Sequence, residues 1–305
     1  MSPTRASLTT HGLVVVDKPA GWTSHDVVAK LRKIYGQRRV GHAGTLDPDA
    51  TGVLLVGLGR ATRLLRFLQE TTKEYRGTVA FGVATSTLDA SGDVLEQKPM
   101  PLTRDEVEAT ATRFVGDIEQ LPPMVSAVKI GGRRLHELAR KGEDVERAPR
   151  PVHIDRLDVE AFEDGPYPRA TVLVECSSGT YIRSLAADLG TALGGTAHLA
   201  DLRRLRVGSF TLDEASSIER IEAEPDTVVL APVIATRDLQ RVDVDVEQAR
   251  AVAHGVTFPA PSLAPNPDGP GPFAIVGPDG DLLAVYERRR SAVRPAVVLA
   301  PVEAD

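Results

Sequence analysis

Residues 38–59 read RRVGHAGTLDPDATGVLLVGLG, a glycine-rich loop pattern followed by an apolar run. The apolar run predicts a buried strand over Val53 to Leu58. The preceding GHAGTLDPDATG is typical of a loop. Within it, Pro48 fixes the chain after Asp47 and biases Asp47 toward an extended backbone. The pattern therefore presents one carboxylate at a defined place, either for chemistry or as the cap of a local turn.

The sequence on either side of this stretch shows strand and helix patterns. Thr23 with Asp26, and Thr103 with Glu106, have the spacing of capping boxes that open helices. From Tyr75 to Phe81, every second residue (Tyr75, Gly77, Val79 and Phe81) is apolar or small, and this alternation predicts a half-exposed strand. The predicted elements are a strand at 12–17, a helix from 24 to about 34, a helix at 60–69, a strand at 75–81, a helix from 104 to about 115, strands at 152–162 and 170–176, and a helix at 181–189.

The chain changes character after about residue 236. A short helix is predicted over 246–254, a Pro/Gly loop over 262–272, and strands over 273–276, 282–286 and 296–300. This pattern favours a small, mostly β C-terminal domain. We therefore divide the chain into residues 1–236 and 237–305.

The charge of the chain is unevenly distributed. The total is −6, but residues 1–210 carry a net charge of +2 and residues 211–305 a net charge of −8. Binding of nucleic acid depends on local potential, so a basic surface on the first part is compatible with the acidic total. A long, polar, basic segment at 127–150 predicts a mobile flap. The candidate RNA contacts are Lys129, Arg133, Arg134, Arg140, Lys141, Arg203 and Arg204.

Several classes of protein are disfavoured by composition and motif. Cys176 is the only cysteine, so an intramolecular disulfide is excluded and a structural zinc site is disfavoured. No signal-peptide pattern or membrane-spanning run is present, and we expect a cytoplasmic protein. The nucleophile elbow, the phosphate-binding P-loop and the zinc-protease helix pattern are also missing from the sequence. Tyr75 and Tyr181 then remain as either packing residues or members of a site with Asp47, and Arg183 as either a solvent-facing residue or a member of that site.

Six blocks of sequence carry a family resemblance. They are DKPAGWTSHDVV at 17–28, the stretch at 38–59, KEYRGTVAFG at 73–82, LPPMVSAVKIGGRRLHELARKG at 121–142, CSSGTYIRSLAADLG at 176–190 and AHLADLRRLRVG at 197–208. With these blocks in order and at matching spacing, residues 12 to about 210 resemble the TruB-type bacterial tRNA pseudouridine-55 synthases.

The resemblance implies an α+β fold, with a mainly antiparallel mixed sheet flanked by helices and a small C-terminal PUA-like domain. It implies an isomerase that acts on the T arm of tRNA as a monomer, with no metal and no cofactor. The segment 127–150 matches the family's mobile RNA-gripping insertion.

The resemblance also assigns residues. Asp47 matches the catalytic aspartate, Tyr75 the tyrosine that stacks on the target base and helps to move its proton, and Arg183 the arginine that pairs with the aspartate. The substrate-binding positions are His42, which fills space left by flipped bases, Tyr181 and Leu202, which line the uracil pocket, and Lys18, which belongs to a motif beside the site.

Two questions stay open at the level of sequence. Asp47 either attacks C1′ or C6 as a nucleophile or deprotonates C2′. The alternatives to this enzyme are a tRNA-folding factor without catalysis, a guide-dependent synthase of ribosomal RNA, and a small-glycoside hydrolase.

Overall fold

The computed structural model describes residues 9–124, 147–259, 262–263, 269 and 271–299 in full, and 129–130, 133–134 and 260–261 as backbone. Its elements in chain order are β1 (Gly12–Lys18), α1 (Ser24–Ile34), β2 (Val40–Ala43), β3 (Thr51–Leu58), α2 (Leu65–Gln69), β4 (Lys73–Phe81), β5 (Val83–Thr85), β6 (Val94–Gln97), α3 (Arg104–Ala111), β7 (Gly116–Gln120), β8 (Lys129–Ile130), β9 (Arg133–Arg134), β10 (Arg150–Glu163), β11 (Arg169–Cys176), α4 (Ile182–Ala192), β12 (Ala197–Val207), β13 (Phe210–Thr211), α5 (Ile218–Ala223), β14 (Gln240–Asp243), α6 (Val246–Ala253), β15 (Phe258–Pro259), α7 (Ala260–Leu263), β16 (Phe273–Val276), β17 (Leu282–Arg289) and β18 (Ala292–Val298).

A nine-stranded sheet forms the centre of the first part of the chain. Its order is β1-β3-β12-β4-β11-β10-β7, with β2 beside β3 and β13 beside β12. All pairs are antiparallel except β12 with β3, which run parallel. The predicted α+β class with a mainly antiparallel mixed sheet is confirmed.

The two capping boxes form as predicted. In α1, the Thr23 hydroxyl accepts from the Asp26 amide at 3.0 Å, and the Asp26 carboxylate accepts from the Thr23 amide at 2.9 Å. The amide groups at the helix start are thereby satisfied, as they are in α3 by Thr103 and Glu106. Apolar residues of α1, α3 and α4 pack against one face of the sheet.

Strand β1 shows how the sheet is covered on both faces. Val14 and Val16 join the core under the helices, while Leu13 and Val15 join a second core on the opposite face. This is the two-residue period of a strand, with both faces buried. The second core also contains residues of α2 and of β16 to β18.

The C-terminal part is a five-stranded sheet in the order β14-β16-β17-β18-β15. Two arginines of the first part of the chain bind the end of β18. Arg60 donates to the Leu299 carbonyl at 3.0 Å, and Arg63 donates to the Val298 carbonyl at 2.6 Å. A β-rich C-terminal domain is thus confirmed, whereas the boundary at 236/237 stays a prediction. Within the described residues, no helix has both the length and the apolar character needed to span a bilayer.

Three predictions of local structure need correction. Gly41 to Ala43, at the start of the predicted loop, form strand β2 together with Val40, because these residues pair with Leu55 to Leu58 of β3. No element was predicted over Ala197–Val207, which forms the long central strand β12. The predicted strand at 296–300 begins earlier, at Ala292, where it continues the hairpin with β17.

Candidate active site

Asp47 lies in the loop 44–50 that joins β2 to β3. The Ser24 hydroxyl at the start of α1 binds this loop twice, accepting from the Leu46 amide at 2.9 Å and donating to the Leu46 carbonyl at 3.2 Å. The Leu46 side chain enters the core and is 3% exposed. The residue before Asp47 is therefore fixed both by hydrogen bonds and by packing.

Lys18 holds the other side of the same loop. Its ammonium group donates to the carbonyls of Pro19 (2.9 Å), Trp22 (2.6 Å) and Pro48 (2.9 Å). The side chain is 0% exposed, and its three N–H donors are all used. Burial lowers the pKa of Lys18 to about 8. The resemblance places Lys18 among the substrate-binding positions as part of a motif beside the site, and in the structure it positions the backbone around Asp47.

Arg183 and Asp47 form a two-point ion pair. The Arg183 Nε lies 3.0 Å from Asp47 Oδ2, and its Nη2 donates to Oδ1 at 3.3 Å. Arg183 sits in the first turn of α4 and is 5% exposed. Its Nη1 reaches a second carboxylate, Asp89, at 3.4 Å and the Thr87 carbonyl at 3.1 Å. The guanidinium plane is thus fixed between two carboxylates, which orients the one on Asp47.

The protonation of Asp47 is set by opposing effects. Burial raises the pKa of its carboxyl above the ordinary value, and the nearby charge of Asp89 adds to the rise. The Arg183 guanidinium acts in the opposite direction but does not outweigh burial. The contact with Arg183 alone favours the carboxylate form of Asp47, but the net direction of the pKa shift is set by the loss of solvent.

A cavity of about 280 Å³ opens beside the ion pair. Tyr75, on β4, forms part of its wall and is 9% exposed. Burial raises the pKa of the Tyr75 phenol, so the hydroxyl keeps its proton at neutral pH. Five residues predicted as catalytic or substrate-binding meet at this cavity: Asp47, Tyr75, Tyr181, Arg183 and Leu202. Arg204, predicted as an RNA contact, also lines it.

Gln120 positions the start of α4, although no motif in the sequence points to it. Its side-chain amide accepts from the Tyr181 N–H at 2.9 Å and donates to the Tyr181 carbonyl at 3.3 Å. Gln120 is 1% exposed and lies 61 residues away along the chain. Ser184, in the same first turn, donates to the Leu121 carbonyl at 2.9 Å. The end of β7 therefore fixes the turn that carries Arg183.

His42 lies on β2 and does not line the cavity beside the ion pair. Its ring meets that of His25 edge-on, with 5.4 Å between centroids. Burial, with the charges of His25 and Arg204, lowers the pKa of His42 to about 4. The ring is therefore neutral at physiological pH.

Two of the seven predicted RNA contacts, Arg203 and Arg204, have side chains that the structure describes. Arg203 is partly exposed and pairs with Asp17 at 2.8 Å. Arg204 is 1% exposed and cannot serve as a surface contact, so this prediction is wrong. The other predicted side chains lie outside the described residues: Lys129, Arg133, Arg134, Arg140 and Lys141.

Three family models match successive parts of the chain. "TruB family pseudouridylate synthase (N terminal domain)" matches residues 32–182. "tRNA pseudouridylate synthase B C-terminal domain" matches residues 183–236, and "tRNA Pseudouridine synthase II, C terminal" matches residues 239–300.

Curated proteins and solved structures show the same likeness. The chain is 46% identical to the tRNA pseudouridine synthase B of Thermobifida fusca (strain YX), over 95% of this chain and 98% of that protein. It is 45% identical to the protein of that name from Mycobacterium sp. (strain KMS), over 95% and 96% of the two chains. Among structures, an H/ACA RNP bound to a substrate RNA containing 2′-deoxyuridine aligns with TM-score 0.74 at 25% identity, over 96% of this chain and 86% of that one.

Proposed function

Because the chain belongs to the TruB family of pseudouridine synthases, we propose that it isomerises the T-arm uridine of tRNA, at position 55, to pseudouridine. One observation carries the proposal: the Asp47–Arg183 ion pair and Tyr75 line the same cavity. The curated relatives named tRNA pseudouridine synthase B match along nearly their whole length. The identity of 42–46% to these relatives exceeds the 25–27% to the H/ACA structures, which favours tRNA over a guide-dependent substrate.

The proposed reaction moves one base from nitrogen to carbon attachment. The N1–C1′ bond breaks, the uracil turns over in the cavity, and a C5–C1′ bond forms. The hydrogen on C5 leaves as a proton and N1 gains one, so the product is an isomer of the substrate. The groups required are one ionised carboxylate, a surface that holds the free base, and exclusion of competing water.

The target base must leave the RNA stack to reach Asp47. Flipping a base costs a few kcal/mol, and stacking on an aromatic ring offsets part of that cost. We assign this stacking role to Tyr75, whose ring is fixed in the cavity wall. Tyr181 and Leu202 line the same cavity and would enclose the base. The basic segment 127–150 would bind the RNA backbone.

Two routes fit the position of Asp47. In one, a carboxylate oxygen attacks C1′ or C6 and forms a covalent intermediate. In the other, the carboxylate removes the proton on C2′. Uridine deuterated at C2′ separates them, because a primary isotope effect on the single-turnover rate arises only when the C2′–H bond breaks.

The function is tested with an unmodified tRNA transcript and chemical mapping of pseudouridine. We expect a product at the T-arm uridine with the parent protein and none with Asp47→Asn, which keeps the shape of the side chain. Asp49→Asn is the matched control, since Asp49 is exposed two residues further along the same loop. Binding of tRNA by Asp47→Asn should equal that of the parent.

Three results would contradict the proposal. They are normal product from Asp47→Asn, product only at another uridine, or no product from the parent protein. The last result together with tight tRNA binding would favour a folding factor instead.

A further inference from the structure

Two buried cations line the cavity beside Asp47, and the proposed reaction gives neither of them a role. They are Lys73 on β4, which is 6% exposed, and Arg204 on β12, which is 1% exposed. Lys73 and Tyr75 are two residues apart on one strand, and Arg204 lies opposite Tyr75 on the neighbouring strand. All three side chains therefore lie on the same face of the sheet, with both cations next to the proposed stacking tyrosine.

The protein supplies no counter-ion for either cation. None of the carboxylates in the described part of the chain forms an ion pair with Lys73 or Arg204, whereas Arg206, on the same strand as Arg204, pairs with Glu175 at 2.6 Å. A buried charge without a partner of opposite sign is costly. Two such charges beside one cavity indicate that the cavity receives an anionic group.

Backbone carbonyls hold both cations in place. Lys73 donates to two carbonyls of the turn between α2 and β4, and Arg204 donates to the carbonyls of Val53 (2.7 Å) and Gly44 (3.2 Å). Within the described residues, these bonds use two of the three N–H groups of Lys73 and two of the five of Arg204. The carbonyls are neutral, so both charges remain, and a ligand in the cavity can accept from the remaining N–H groups.

The two positive charges act on each other. Burial, together with the charge of Arg204, lowers the pKa of Lys73 to about 8, and the charge of Glu70 opposes this shift less strongly. The ammonium form of Lys73 therefore still predominates at neutral pH. A negative charge that enters the cavity would reduce the repulsion between the two cations.

The proposed reaction produces such a negative charge on the uracil ring. When the N1–C1′ bond breaks, its electron pair goes to N1, and the charge spreads over N1, O2 and O4. C1′ is then bonded to an Asp47 oxygen, or it forms a double bond to C2′ after Asp47 has taken the C2′ proton. If Asp47 attacks C6 first, the same ring carries the charge as an enolate on O4. The charge disappears when C5 bonds to C1′, C5 loses its proton and N1 gains one.

We propose that Lys73 and Arg204 form a cationic site that binds the uracil ring most strongly while the ring carries negative charge. This role rests on the proposed function, because the reaction supplies the anion. Donors that are fixed before the reaction stabilise a developing charge without having to reorganise. Because the neutral base of the substrate gains less from them, the two cations should increase the rate more than the affinity for tRNA.

The kinetic test changes the cations and the target base together. Lys73→Met and Arg204→Met are assayed on tRNA with either uridine or 5-fluorouridine at the target position. Fluorine withdraws electrons, so the fluorinated ring holds negative charge with less help from the protein. Arg206→Met is the matched control, because this arginine is already neutralised by Glu175. Single-turnover rates come from chromatography of nuclease digests, which follows loss of the original nucleoside, and circular dichroism checks that each variant is folded.

With uridine, we expect the rate to fall about 100-fold in Arg204→Met and about 10-fold in Lys73→Met, with tRNA affinity changed less than about threefold. With 5-fluorouridine, both losses should be at least about fivefold smaller, since less charge stabilisation is needed. A purely structural role would lower the two rates by the same factor, and Arg206→Met should leave their ratio unchanged. Equal losses on both substrates in Lys73→Met and Arg204→Met would overturn the inference.

A second measurement needs no RNA. Equilibrium dialysis at about pH 7 compares 5-nitrouracil, which is an anion at that pH, with uracil, which is neutral. The parent protein and Arg206→Met should bind the anion at least about 10-fold more tightly than uracil, and Lys73→Met and Arg204→Met should lose most of this preference. Inorganic phosphate at the same concentration should not displace 5-nitrouracil.

Three results of the dialysis would overturn the inference. They are equal binding of the two bases by the parent protein, no binding of 5-nitrouracil at millimolar concentration, and displacement by phosphate, which would assign the cations to the RNA backbone instead. Each result is obtained whether or not the parent protein makes pseudouridine, so failure of the inference and failure of the proposed function can be told apart.

Discussion

Gly52→Ala tests how closely β12 must pass β3 beneath the site. Gly52 has a φ of +100°, and a Cβ there would lie 2.1 Å from the Arg204 carbonyl oxygen. Because real Cβ contacts essentially never fall below 3.0 Å, the two strands would have to separate. The required movement is on the order of 1 Å, enough to break hydrogen bonds between the strands.

The cost can be estimated from the contacts that this movement breaks. The β3–β12 ladder consists of Thr51 with Arg203 and Gly52 with Arg204, and the Arg204 Nε bond to Val53 crosses the same gap. Backbone hydrogen bonds contribute about 0.5–1.5 kcal/mol each and a charged one about 1.5–3 kcal/mol. Their loss lowers the free energy of unfolding by about 3–5 kcal/mol. The positive φ adds about 1–3 kcal/mol of strain.

Gly116→Ala separates these two contributions. Gly116 also has a φ of +100°, but no atom lies within 4 Å of the position of its Cβ. This variant therefore experiences the backbone strain alone. Urea unfolding followed by circular dichroism should show Gly52→Ala less stable than Gly116→Ala by about 3–5 kcal/mol. Equal losses in the two variants would refute the close passage of β12 over Gly52.

Three further predictions follow from the site. Burial raises the pKa of Asp47, so the single-turnover rate should begin to fall, as pH drops, at a higher pH than for an ordinary aspartate. Because the Arg183 charge lowers the pKa of Asp47, Arg183→Met should move this fall to a still higher pH. A fall at a lower pH in Arg183→Met than in the parent protein would contradict this assignment. Ser24→Ala removes both hydrogen bonds to Leu46 and should lower the free energy of unfolding by about 1–3 kcal/mol. It should also lower the single-turnover rate of pseudouridine formation, while tRNA affinity in a filter-binding assay stays unchanged. Burial raises the pKa of Cys176 to about 11, so a thiol reagent at about pH 8 should label it only in urea; rapid labelling of the folded protein would contradict its burial.

Local signals in the sequence were sufficient for many elements. The capping boxes at Thr23 and Thr103 give the starts of α1 and α3, because cap and first turn are adjacent in the chain. The alternation from Tyr75 to Phe81 gives β4 for the same reason. In each case, the residues that decide the structure lie within one short window.

The central strand β12 illustrates where local signals end. Its sequence AHLADLRRLRV is rich in alanine, leucine and arginine, which favour helix in isolation. It becomes a strand because β4 and β3 provide partners on both sides. β2 was missed for a similar reason, since the glycine in VGHA suggests a loop until β3 is beside it.

The site shows the same division between local and distant information. Asp47 is recognisable from its own loop. Asp89 pairs with Arg183, and Gln120 binds the backbone of Tyr181 just before Arg183, but both come from distant segments that have no motif of their own. Their roles depend on which segments the sheet brings together. The family resemblance supplied Arg183 as a partner of Asp47, whereas the second carboxylate on that guanidinium came from the structure alone.

The basic residues of the first part of the chain cannot be counted simply as an RNA-binding surface. Lys18, Arg183 and Arg204 are 0%, 5% and 1% exposed, and each donates to a carbonyl or a carboxylate within the site. These three charges therefore organise the cavity and contribute little to attraction of a phosphate backbone at a distance. Attraction of RNA must come from exposed cations, so neutralising Arg203 should reduce the salt dependence of binding by about one unit of slope. Neutralising Arg204 should leave that slope unchanged while the rate falls, and a lowered slope would return Arg204 to the RNA surface.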